Sequence, residues 1–115
     1  MKLVRNEEGN VAVMFALMSV VVTGMTGMAV DYARALSARD HLQAAADSAA
    51  MAGVALASGT DQQRIATATA VFNANLKGFN LADLPVPVVT SANGAVTVTA
   101  SGSIPTAFSA LVGIN

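Results

Sequence analysis

The chain has 115 residues, enough for one small domain, and it contains no cysteine, which excludes disulfides and thiolate metal sites. It is 54% hydrophobic and only 11% charged, with a net charge of −1. Its six Lys and Arg residues are scattered and Trp is absent, so no basic patch of the nucleic-acid-binding kind exists.

Residues 1–10 are short and polar and read as a cytoplasmic, leader-like segment, with Lys2 and Arg5 followed by Glu7 and Glu8. Val11 to Val30 then runs without a charge. A helix of that length covers about 30 Å, the thickness of a bilayer's hydrocarbon core. Its polar members, Ser19, Thr23 and Thr26, can bond back to their own helix. Gly24 and Gly27 weaken a soluble helix but are common in membrane helices. A cleavable signal has a shorter apolar core, of about 7–15 residues, and a small-x-small cleavage site. Here Asp31-Tyr32-Ala33-Arg34 continues the helix, so retention of the span is expected over its removal.

Asp31 ends the apolar run and defines a membrane boundary. Tyr32 and Arg34 suit that interface, an aromatic at headgroup depth and a cation able to snorkel. Lys2 and Arg5 favour a cytoplasmic N-terminus, but Arg34 and Arg39 follow the span and make that bias slight.

Beyond Val30 the periodicity changes. Ala35, Ala38, Leu42, Ala45, Ala49, Ala52 and Leu56 recur at alternating steps of three and four, one continuous stripe on a helix. Alanine favours helix and permits close backbone approach. It buries little area, so the stripe needs close partners. Ser58-Gly59 ends the element, making residues 31–58 the outer half of one long helix.

Residues 59–115 read as a small α+β head. Thr60 is a good N-cap, with Gln63 where a capping box wants it. Ile65, Ala68, Val71, Phe72 and Leu76 form the apolar face of that second helix, and Lys77-Gly78 closes it. Pro85 and Pro87 mark an edge. Val86–Ser91 and Ala95–Ser101 read as strands around Asn93-Gly94, a type I′ hairpin signal. A lone hairpin is marginal, and within the chain only the helices can support it. Ser103 to Asn115 reads as a short final helix, with Pro105 in its first turn, Phe108, Leu111 and Val112 inward, and Gly113 as its stop. The head is too small for a large core and is expected to lean on the outer half of the long helix.

Recognisable chemistry is sparse. His41 has no second histidine or cysteine with which to share a metal, and Asp40 and Asp47 nearby read as an ordinary solvated helix face. No nucleophile elbow, phosphate loop or nucleotide fingerprint is present. The expectation is a non-enzyme with no cofactor, no metal and no small-molecule substrate. More informative are small residues four apart, Ala12 and Ala16, then Ser19, Thr23 and Gly27. Such spacing lets membrane helices approach closely. The alternative is that small residues are simply frequent in this chain.

Three strings carry a resemblance: Gly9-Asn10-Val11-Ala12-Val13-Met14-Phe15-Ala16-Leu17, Gly27-Met28-Ala29-Val30-Asp31-Tyr32-Ala33-Arg34, and Leu42-Gln43-Ala44-Ala45-Ala46-Asp47-Ser48-Ala49-Ala50-Met51-Ala52-Gly53. In this order they resemble the N-terminal segment of TadG-like proteins, in the TadE/TadG-like family of bacterial Flp (tight-adherence) pilus assembly proteins. The resemblance implies a pilin-like protein anchored in the bacterial inner membrane, its C-terminal part outside the cytoplasm, or a cell-surface filament. Family members often carry a larger exported part, which a sequence of 115 residues is expected to lack. Gly9 is placed like the glycine after which prepilins are cut, which would leave Asn10 as the new N-terminus. Prepilins carry Glu at the fifth mature position. Met14 stands there instead, which counts against both cutting and the usual assembly register.

The combined reading is an α+β, pilin-like lollipop: a long transmembrane and amphipathic helix, then a head of one helix, a hairpin and a short C-terminal helix. Its expected partners are membrane lipid and copies of itself or other Tad apparatus proteins, met by helix packing. It either stays in the membrane as an assembly component or polymerises as a pilin. A small secreted domain with a removed signal is the other class.

Overall fold

The computed structural model describes residues 7–79, 83 and 85–107. Helix α1 runs unbroken from Glu7 to Ala55, 49 residues. Helix α2 spans Asp61–Leu76, and strands β1 (Val88–Ala92) and β2 (Ala95–Thr99) form a two-stranded antiparallel sheet. The class is α+β. Asp31, the charge that closes the apolar run, sits inside α1 and does not interrupt it.

Two compact units are distinguished. One holds α1 up to Ala33 together with the chain from Thr106; the other is Arg34–Pro105. In the first, most of the apolar side chains of α1 are exposed, Phe15 by 74% and Val20 by 72%, while Gly27 is buried. Asp31 is half-buried, and its Oδ1 accepts the Ala107 backbone N–H at 3.3 Å.

In the second unit the alanine stripe meets the head. Ala38, Ala45 and Ala49 of α1 form one buried cluster with Ala68, Phe72 and Leu76 of α2. Leu42, Val71, Phe79, Val89, Val96, Val98, Ala100 and Ile104 close around it. Phe72 is the one large side chain among the described residues that is fully enclosed. Burying such a ring stabilises by about 1.5–3 kcal/mol, which is much of what a core of alanines can offer.

The α2 boundaries follow from their caps. Thr60 Oγ1 accepts the Gln63 N–H at 3.3 Å, and Gln63 Oε1 accepts the Thr60 N–H at 3.0 Å. This reciprocal pair satisfies two donors that a helix start leaves over. Lys77 is the C-cap, and Gly78 follows at φ +91°, in the left-handed region that glycine enters without strain. In the hairpin, Asn93 (φ 52°) and Gly94 (φ 79°) take the positive φ of a two-residue primed turn. Val89 pairs with Val98 and Ser91 with Val96, all four on the half-buried face.

Both strands are shorter than the sequence suggests. Val86 and Pro87 lie outside β1, with Val86 84% exposed. Pro85 and Pro87 have no N–H to give a ladder, so pairing starts only at Val88. Ala100 and Ser101 likewise fall beyond β2, because β1 has no paired residue left opposite them. The helix expected from Ser103 is not formed over Ser103–Ala107, which is irregular. There the Ala107 N–H goes to Asp31 and Ser103 Oγ to Asp83. Phe108, Leu111, Val112 and Gly113 lie outside the described residues.

Candidate functional site

The apolar half of α1 is the first candidate surface. This helix is long and apolar enough to cross a membrane, and its most apolar stretch is almost wholly unburied. Its hydroxyls are bonded internally. Ser19 Oγ donates to the Phe15 carbonyl at 2.8 Å, Thr23 Oγ1 to Ser19 at 2.7 Å, and Thr26 Oγ1 to Val22 at 2.8 Å. A hydroxyl left unpaired in a dry environment would cost about 1–3 kcal/mol, and these three avoid that cost without help.

The small-residue positions divide. Ala12, Ala16 and Thr23 are exposed, Ser19 is half-buried and Gly27 buried. A Cβ placed on Gly24 would meet nothing within 4 Å. Gly9 and Asn10 are exposed and already helical. Just past the charge-free run, Tyr32 and Arg34 are exposed, while Asp31 accepts the Ala107 backbone N–H.

The outer stripe is largely occupied by the chain's own head. Ala38, Ala45 and Ala49 are buried there, and Ala35, Leu42 and Ala52 half-buried. Leu56, the last member, is exposed just past the helix end. Sequence reasoning missed Gly53. It is buried, and a Cβ there would lie 3.1 Å from both Val96 methyls and 3.2 Å from the Arg64 carbonyl oxygen. In the string Ala49-Ala50-Met51-Ala52-Gly53 the glycine stands four residues beyond Ala49, on the same face of the helix.

Arg64 is a second residue whose role the sequence does not mark. Its Nε donates to the Leu56 carbonyl at 3.1 Å and its Nη2 to the Ala57 carbonyl at 3.2 Å. It thereby bonds carbonyls of the turn that follows α1, where the Leu56 oxygen also accepts the Gly59 N–H at 3.1 Å. On the far side of α2's first turn, Ser91 Oγ donates to Asp61 Oδ1 at 2.7 Å and ties β1 to that turn.

His41 packs against Phe79, ring centroids 4.4 Å apart and planes tilted by 41°. Asp47 accepts from Gln43 Nε2 at 2.8 Å. No group of three or more His, Cys, Asp or Glu residues able to hold a metal occurs among the described residues. Near Phe79, a groove of about 410 Å³ is lined by Arg34, Ser37, Ala38, Phe79, Ile104 and Pro105.

The family model for Flp pilus-assembly TadE/G-like proteins matches residues 9–61, the span-capable helix, its outer stripe and the turn into α2. No curated protein and no solved structure matches the chain.

Proposed function

We propose, from the match of residues 9–61 to the Flp pilus-assembly TadE/G-like family model, that this chain is a pilin-like structural component held in the bacterial inner membrane by α1. The family match together with the span-capable helix supports a Tad-associated membrane component. The pilin-like reading is supported by one observation: the large apolar side chains from Val11 to Val30 are exposed among the described residues. Exposed to water, a surface of that extent would drive association, so lipid or other helices must cover it.

In this reading the component works by helix packing, with no catalytic step. Lys2 and Arg5 stay in the cytoplasm and the head lies on the other side. The outer stripe is filled by the head, which leaves the face carrying Ala12, Ala16, Ser19 and Thr23 for copies or other apparatus proteins. Met14 at the position where prepilins carry Glu favours a component that remains in the membrane over a polymerising pilin.

The test is intact mass in two fractions, sheared surface filaments and detergent-extracted membranes. Full-length chain in membranes alone is expected. Abundant chain in filaments would replace the reading with a polymerising subunit, and its mass would report any cut after Gly9.

A further inference from the structure

Resting on the membrane reading above, we propose that the groove beside Arg34 is a seat for the headgroup of an anionic phospholipid. The groove has two chemical characters. Arg34 and Ser37 bring a guanidinium and a hydroxyl, both suited to a phosphate diester. Phe79, Ile104 and Pro105 bring an apolar wall suited to the glycerol and the start of an acyl chain. His41 packs against Phe79, one residue of that wall, with ring centroids 4.4 Å apart.

Depth along α1 selects lipid as the occupant. Arg34 follows the last residue of the charge-free run, Val30, by about one helical turn, roughly 6 Å of rise. That is headgroup depth for a helix whose apolar run fills the hydrocarbon core. Arg34 is exposed, and its guanidinium has no carboxylate or carbonyl partner among the described residues. Arg39, five residues further on, is exposed outside the groove and serves as an internal control.

The experiment uses the full chain. Flotation with neutral phosphatidylcholine vesicles first reports whether it enters a membrane at all. Native mass spectrometry from detergent then measures retention of dioleoyl phosphatidylglycerol against dioleoyl phosphatidylcholine. The wild type is expected to retain the anionic lipid about fivefold more strongly, a difference that Arg34→Gln removes and Arg39→Gln does not. Ser37→Leu, which fills the groove and keeps the charge, is expected to weaken retention as well. A chain that floats but shows equal retention in wild type and Arg34→Gln overturns the headgroup seat and leaves the membrane reading standing. A chain that does not float overturns both. Displacement of the lipid by millimolar inorganic phosphate would make the groove a free-phosphate site and overturn the assignment to lipid.

Discussion

Arg64 Nε donates to the carbonyl oxygen of Leu56 at 3.1 Å, so a side chain on α2 completes the end of α1. The same guanidinium reaches Ala57 through Nη2. Its Nη1 lies 3.3 Å from where a Cβ on Gly94 would stand. One residue thus meets the helix end and the hairpin turn. Arg64→Ala is expected to destabilise the Arg34–Pro105 unit by roughly 1–2 kcal/mol, because two carbonyls lose charged donors near the surface. Arg64→Lys should recover only part, since an ammonium lacks the planar fork. Thermal unfolding of the detergent-solubilised chain measures both, and equal stability of all three proteins would refute the capping role.

Gly53 sets how closely α1 meets β2. Alanine in a helix interior is worth about 1 kcal/mol over glycine, which favours Gly53→Ala. Against it, the new methyl would stand 3.1 Å from the Val96 methyls and 3.2 Å from the Arg64 carbonyl oxygen, a backbone atom. Overpacking of that kind costs about 1–3 kcal/mol. The expected net is a modest loss for Gly53→Ala and a larger one for Gly53→Val. Adding Val96→Ala should recover part of the loss, and a double-mutant cycle in chemical denaturation gives the coupling.

Phe72→Ala empties the one large fully enclosed position among the described residues. The expected loss is about 3–5 kcal/mol, a large share of the stability of so small a core. Limited proteolysis should then cut readily between Gly59 and Ser101, while the apolar half of α1 stays protected in membranes. Unchanged resistance in that stretch would show that the core is held by something other than Phe72.

Val21 is exposed near the middle of the charge-free run. Val21→Arg should cost about 2.5–3.5 kcal/mol of membrane insertion. Alkaline carbonate extraction should release a large part of the variant and leave the wild type in the pellet. Equal retention of both would count against Val11–Val30 as the span.

Much of this was legible along the chain. Thr60 with Gln63, Asn93 with Gly94, and the Ala38–Ala45–Ala49 spacing each carry their structure within a few residues, where local sterics and hydrogen bonding decide. What stayed hidden depends on partners remote in sequence or without side-chain identity. Arg64 reads as a surface cation because its acceptors are backbone carbonyls, which no residue type announces. The alanine stripe announces close approach but not the neighbour, and here much of that neighbour is the chain's own α2. The strand ends were set by Pro87 and by how far β1 could pair. At Ser103–Ala107 a promising helix start lost to bonds with Asp83 and Asp31, 20 and 76 residues away in sequence.

The three hydroxyls of the apolar run, on Ser19, Thr23 and Thr26, each return to the carbonyl four residues earlier. The helix therefore asks its surroundings for no hydrogen bond along that stretch. Acyl chains and a neighbouring apolar helix become interchangeable solvents for it, differing in fit but not in polarity. Exchanging one for the other breaks no internal bond, so the choice between them is left to shape.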